Sequence, residues 1–422
     1  MKQIVYPSQV NGRIKAPASK SYAQRAVAAA LLCQGTSRLR GIDPSNDTRA
    51  ALDTAWRLGA TISREGDDYV ITGGLAPRSS TLDIGESGLS ARLFTPIAAL
   101  WHKPLTITGE GSILTRPFDM MVAPLEQLGV EIRTTGGKLP VTVRGPLRGG
   151  MAAADGSLSS QFVTGLLTAL PLAEKDTLLT VADLASRPYV DMTLSVLATF
   201  GIEIDNRGYR EFLVKAPQAY RATDYRIEGD WSGASCLLVA GSIAGEITVG
   251  NLNPASAQAD RAITEALRLA GADVAWSGDV VTTGKKPLRA FDFDASDCPD
   301  LFPALAALAA YCEGVTTIRG TSRLAHKESD RALTIASELG KLGVNIDISA
   351  ENLMVVRGPL ERRGDGSPVT VSSHNDHRIA MAAATVALGL GRPVEIEGAE
   401  AVEKSYPAFW DDLRSVAADC KR

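Results

Sequence analysis

The chain has 422 residues, 45% of them hydrophobic and 22% charged, with a formal net charge of -4. That length exceeds what one hydrophobic core usually serves and points to two domains of roughly 200 residues; the acidic balance excludes a basic surface of the kind that holds nucleic acid or an anionic membrane. No stretch approaches the roughly 18 continuous apolar residues of a spanning helix, and the opening MKQIVYPSQV has no apolar run after Lys2, so a soluble, cytoplasmic protein is expected; a monomer is expected too, though these features do not bear on it. Five cysteines, Cys33, Cys236, Cys298, Cys312 and Cys420, are scattered and never spaced as C-x-x-C. Reduced thiols serving mostly as small core residues fit that pattern.

In chain order the elements repeat. After an N-terminal strand, KQIVYP, the same succession recurs: an apolar helix, a strand, an Asp-started amphipathic helix closed by Gly, and two alternating strands. The closing glycines are Gly59, Gly129, Gly201, Gly271 and Gly343, separated by 70, 72, 70 and 72 residues. Upstream of each, Asp47, Asp119, Asp191, Asp260 and Asp330 are expected to cap a helix N-terminus, with the glycine supplying the left-handed stop. The second helix type begins near Ser21, Ser87, Ser159, Ser232, Asp300 and His377 and is apolar on nearly every face, so it is expected to be buried. Six units fill the chain, but the sixth stops after DDLRSVAADCK without a closing strand, which KQIVYP can supply. The expected fold is α/β, with two similar lobes of three βαβαββ-like repeats each, buried parallel helices being wrapped by sheets in an inside-out barrel. Residues 1–16 and 230–422 would form one lobe and 17–229 the other.

The polar residues of the apolar helices gather at their N-termini: SKSYAQR, GESGLSAR, SSQ, WSGAS, PD and NDHR. A helix start offers unpaired N–H groups and about half a positive charge, so several of them facing one cleft would make a local anion site despite the acidic total. Lys20, Arg25, Arg92, Arg116, Lys327, Arg331, Arg378 and Lys404 lie at or near such ends. Taken singly each is an ordinary cap or surface charge; their shared place in the repeat is what singles them out.

PASKSYAQR, GSLSSQF, ASRPY, HKESDR, NDHR and VEKSYP, in this order along essentially the whole chain, resemble the 5-enolpyruvylshikimate 3-phosphate (EPSP) synthase family. The resemblance implies a cofactor-free and metal-free transferase that joins phosphoenolpyruvate to shikimate 3-phosphate and releases phosphate. It places Lys20 between the two substrates, as a catalytic residue beside Asp300 and Glu328. Ser21, Arg25, Ser159, Ser160, Gln161, Ser186, Tyr189, Asp300 and Lys327 would lie on shikimate 3-phosphate; Gly88, Arg116, Gln161, Arg331, Arg378 and Lys404 would lie on phosphoenolpyruvate. Asp300 would accept the hydroxyl proton, and Glu328 would handle the proton at the methylene carbon. Forked guanidinium donors suit carboxylate and phosphate, and a carboxylate pair among cations suits proton transfer.

The nearest alternative is the sister transferase acting on UDP-N-acetylglucosamine, which usually carries a cysteine where this chain reads TGEGSILTRPFD. A non-catalytic anion binder on the same scaffold would be expected to lose Asp300 or Glu328, and both are present. PASKS lacks the glycines of a phosphate loop, GEG lacks the third glycine of a dinucleotide fingerprint, and the pair His374 and His377 has no evident third metal ligand. The chain departs from the family at Glu86, Leu89 and Leu93, and Glu86 either points away from the anion site or pairs with a cation such as Arg92. Arg323 also departs, standing where a neutral or acidic contact is usual. Repacking by the two leucines beside Gly88 would weaken inhibition by glyphosate, which the resemblance makes a competitor of phosphoenolpyruvate.

Overall fold

The structure, a computed structural model, describes residues 1–325, 327–361 and 366–418. Cys420 and the end of the expected final helix lie outside these residues, as does His326. Twelve α-helices are described: α1 Lys20–Leu32, α2 Asn46–Arg57, α3 Gly88–Ala98, α4 Val122–Gln127, α5 Ser160–Ala169, α6 Arg187–Thr199, α7 Trp231–Ala244, α8 Ile263–Leu269, α9 Phe302–Ala309, α10 Arg331–Lys341, α11 His377–Gly389 and α12 Phe409–Val416. By their internal contacts the residues divide into two compact units, Ala18–Ile227 and Met1–Pro17 with Glu228–Arg422.

Among the described residues each unit holds three sheets. In Ala18–Ile227, Thr36–Arg40 pairs in parallel with Asp224–Arg226 and antiparallel with Asp68–Thr72, which turns back on Thr61–Glu65. Two further four-stranded sheets repeat that plan around Leu105–Thr108 and Thr177–Ala182. In the other unit, Gly245–Gly250 pairs in parallel with Val10–Lys15, and Gly314–Arg319 centres an equivalent sheet. The third sheet is closed by the chain start as expected, Lys2–Val5 running antiparallel to Val394–Glu397.

The helices alternate in character because their sequences do. Every residue of α7 and α9 is buried, as are eleven of the thirteen in α1, whereas α2 and α10 bury one stripe. Small residues let the buried helices close up: a Cβ on Gly165 of α5 would stand 2.1 Å from the Arg92 carbonyl oxygen of α3. All five repeat glycines have positive φ, from +82° at Gly201 to +127° at Gly59, which is the stop the spacing predicts. The capping role expected of five aspartates is met at Asp330, which accepts from Leu333 N at 3.3 Å, and in part at Asp119, which accepts from Met120 N at 3.1 Å. Ser45 caps α2 instead, and Asp47 turns to Lys20. Asp191 lies inside α6 and accepts from the Tyr209 hydroxyl, Asp260 accepts from Ser232, and Asp119 sits in a 3₁₀ turn before α4. At Asp47, Asp191 and Asp260 a polar partner outcompetes the free N–H groups.

Candidate active site

Within Ala18–Ile227 the predicted residues gather at the starts of α1, α3, α5 and α6. Lys20 opens α1 with its ammonium 2.6 Å from the Asp47 carboxylate, and Ser21 follows, its carbonyl accepting from Arg25. Arg25 is 3% exposed, yet its hydrogen-bond partners among the described residues are all neutral: Thr193 Oγ1 at 2.9 Å, the Tyr189 carbonyl at 3.1 Å, the Ser21 carbonyl at 2.9 Å and Thr164 Oγ1 at 3.5 Å. Burial pushes its guanidinium down to about 10. A charge taken out of water without a counter-charge is costly, and an incoming anion relieves that cost. Ser186 sits before α6 at φ +54° and Tyr189 lies in the helix's first turn, which fixes the carbonyl that Arg25 uses.

Ser159 caps α5 by accepting from Gln161 N, Ser160 is buried, and Gln161 Oε1 accepts from Arg92 at 3.2 Å. Arg92 is one of the helix-end cations but is not among the contacts that the resemblance implies. Its guanidinium bonds the Gly88 and Pro117 carbonyls and lies 4.8 Å and 4.9 Å from the ring centres of Phe118 and Phe162. A Cβ on Gly88 would stand 2.5 Å from Arg116 Nη1 and 3.0 Å from Arg92 Nη1, so a side chain there would push these guanidinium ends aside. Arg116 Nε is buried with no hydrogen-bond partner among the described residues. Glu86 turns to Ser112, accepting from its N at 3.1 Å and its Oγ at 3.4 Å.

In the other unit one carboxylate organises the cluster. Asp300, in a 3₁₀ turn ahead of α9, accepts from Lys327 at 3.1 Å, Arg331 at 2.8 Å and Arg378 at 3.3 Å. Burial alone would raise its pKa, but Arg378, Lys327 and Arg331 together hold it well below the usual carboxylate range. Burial lowers Lys327. Arg331 opens α10 fully buried and spreads its fork over three acids: Asp376 at 2.9 Å, Asp300 at 2.8 Å and Glu328 at 2.6 Å. Asp376 also caps α11, accepting from Arg378 N. Arg378 Nε is buried with no partner among the described residues, and Lys404, 7% exposed, donates to the Asn375 carbonyl at 2.8 Å.

Sequence reasoning passed over Asp376 and Asp260. The first reads as part of NDHR, and the second as a cap; only the fold brings them to the cluster. Burial and the charge of Asp300 push Asp260 up to about 6. His374 and His377 do not act as a pair: His374 Nε2 meets Glu338 at 2.9 Å, while His377 is buried beside Asp376.

Carboxylates held among cations at helix starts, with guanidinium donors facing neutral partners, mark an α/β enzyme that binds small polyanions and moves protons beside them. The model of the EPSP synthase (3-phosphoshikimate 1-carboxyvinyltransferase) family matches residues 4–413. Proteins named 3-phosphoshikimate 1-carboxyvinyltransferase from Clostridium kluyveri and Aeropyrum pernix are 37% and 40% identical, covering 98% of this chain in both cases and 97% and 95% of their own lengths. The solved EPSP synthase from Acinetobacter baumannii superposes with a TM-score of 0.81 at 26% identity, covering 99% of this chain and 98% of its own. The chain belongs to the EPSP synthase family.

Proposed function

We propose that this enzyme transfers the enolpyruvyl group of phosphoenolpyruvate to the 5-hydroxyl of shikimate 3-phosphate and releases phosphate. The observation that carries the reading is Asp300 held by Lys327, Arg331 and Arg378, with Glu328 on the same Arg331. The methylene carbon of phosphoenolpyruvate takes a proton, the hydroxyl oxygen adds to the neighbouring carbon while losing its own proton, and a tetrahedral adduct forms. Loss of a proton from the new methyl group and departure of phosphate then restore the double bond. Asp300 takes the hydroxyl proton and Glu328 serves the methylene carbon.

A carboxylate held so low is a weak base on its own. Substrate anions change that. A phosphate and a carboxylate compete with Asp300 for Arg331, Arg378 and Lys327, and each cation drawn away lets its pKa rise toward what proton acceptance needs. Binding thereby prepares the base. Arg25, with Ser21, Ser159, Ser160, Ser186, Tyr189, Asp300 and Lys327, takes shikimate 3-phosphate, while Gly88, Arg116, Arg331, Arg378 and Lys404 take phosphoenolpyruvate, Lys20 and Gln161 serving both. We assign Arg92 to Gln161 and Gly88, as the group that orients them. The residues need no metal or organic cofactor for this chemistry, and the enzyme is proposed to act as a cytoplasmic monomer.

The test is phosphate release from phosphoenolpyruvate with shikimate 3-phosphate, run beside UDP-N-acetylglucosamine. Release with the first acceptor and none with the second is expected; the reverse would overturn the assignment.

A further inference from the structure

We infer that Glu338 and His374 form a positioning pair that sets the turn 372–376 and, through it, the cations assigned to phosphoenolpyruvate. The inference rests on that assignment. Glu338 lies toward the far end of α10 from Arg331, and its side chain is 1% exposed. No step of the proposed reaction uses it. Its carboxylate nevertheless accepts from Lys341 Nζ at 2.7 Å, Ser372 N at 2.8 Å, His374 Nε2 at 2.9 Å and Ser337 Oγ at 3.3 Å. Two of these four donors belong to the turn. Burial works against the charge, but Lys341, Ser372 and His374 bring its pKa down to about 2, so the carboxylate is ionised and acts as an acceptor only.

The turn needs such a tether. His374 and Asn375 follow one another at φ +49° and +58°, a backbone region that non-glycine residues adopt at a cost unless their surroundings hold them there. Local bonds supply part of the hold: His374 N donates to Ser372 Oγ and Asn375 N to Ser373 Oγ, both at 3.1 Å. The strand Val394–Glu397 holds one side, Ser373 N donating to the Glu397 carbonyl at 2.9 Å, and Ser373 Oγ reaches the Gly398 carbonyl at 2.8 Å. Glu338 holds the other side from α10.

What the turn presents is the cation scaffold. The Asn375 carbonyl it exposes accepts from Lys404, and Asp376, the next residue, receives Arg331 and caps the helix that carries Arg378. Because Arg331 starts the same helix that ends near Glu338, the pair closes a loop: α10 fixes the turn at one end, and the turn fixes Arg331 at the other. A loosened turn moves an acceptor of Lys404 and an acceptor of Arg331 together. Small misplacements of binding groups carry large kinetic effects.

The test compares His374→Ala, His374→Gln and Lys404→Ala in the full chain, by steady-state kinetics, shikimate 3-phosphate titration and thermal unfolding. His374→Ala is expected to raise KM for phosphoenolpyruvate by about tenfold while shikimate 3-phosphate affinity holds within about twofold. His374→Gln keeps an N–H donor for Glu338 and should restore KM to within about twofold of the native value. An unchanged KM in His374→Ala overturns the pair. So does an equal loss for both substrates that follows the fall in melting temperature and is not rescued by glutamine. If Lys404→Ala itself leaves KM for phosphoenolpyruvate unchanged, the site assignment fails, and the pair with it; a raised KM there with a native one in His374→Ala sinks the pair alone.

Discussion

Replacing Asp300 by Asn separates two effects that the cluster combines. The substitution keeps the shape and removes the charge that Lys327, Arg331 and Arg378 share at 2.8 to 3.3 Å. As the proposed base for the hydroxyl proton it should be missed in turnover, with kcat falling by about 10² to 10⁴. Affinity should move the other way. A substrate anion must draw at least one cation off Asp300, and a hydrogen bond to a charged group contributes about 1.5 to 3 kcal/mol net. Sparing the lower end of that range corresponds to about tenfold tighter binding of phosphoenolpyruvate. Arg331 keeps Asp376 and Glu328, so the fold should survive. The assay is single-turnover phosphate release together with equilibrium binding of phosphoenolpyruvate in the presence of shikimate 3-phosphate. Near-native turnover would remove Asp300 as the base, and lost turnover with weakened phosphoenolpyruvate binding would show that it does not compete with the substrate for these cations.

Arg25→Met should abolish shikimate 3-phosphate binding in titration while leaving the ligand-free melting temperature level or higher, since the lost guanidinium is buried among neutral partners; a destabilised protein that still binds would contradict this. Gly88→Ala should raise KM for phosphoenolpyruvate by forcing Arg116 aside, because the new Cβ would stand 2.5 Å from its Nη1; native kinetics would show that the guanidinium is not held there. Asp260→Asn should gain stability relative to the native chain as pH rises from about 4 to about 6, the value to which burial and Asp300 push the native carboxyl: over that window the folded state holds a proton the unfolded state has lost, so the native chain loses stability with rising pH. Parallel denaturation curves across the window would remove the shift. Leu89 and Leu93 are both buried in α3, so Leu89→Thr should strengthen glyphosate inhibition relative to the native enzyme, and an unchanged inhibition constant would detach these residues from the response.

The repeat was legible because its punctuation is conformational: a glycine held at positive φ cannot be disguised by neighbouring residues, and five of them kept the period through the chain. The buried helices were legible for a similar reason, since a segment such as CLLVAGSI has no polar face to expose. Helix caps were not. An aspartate near a helix start looks the same in sequence whether it serves an N–H group or a distant partner, and Asp47, Asp191 and Asp260 went to Lys20, Tyr209 and Ser232. The same limit hid Asp376 as the acid behind Arg331, 45 residues away, and Glu338 behind His374, 36 away. Glu86 shows the converse: its charge looked misplaced beside an anion site until the fold turned it to the backbone of Ser112.

The central claim is that the enolpyruvyl group is joined to the 5-hydroxyl of shikimate 3-phosphate by way of a protonated methylene carbon. Nuclear magnetic resonance of the purified protein with equimolar phosphoenolpyruvate and shikimate 3-phosphate in deuterated water tests it directly. One equivalent of phosphate is expected, with a vinyl ether on the carbon bearing the 5-hydroxyl and deuterium entering the methylene group. Phosphate released with free pyruvate and unchanged shikimate 3-phosphate, or an ether at another hydroxyl, would contradict it.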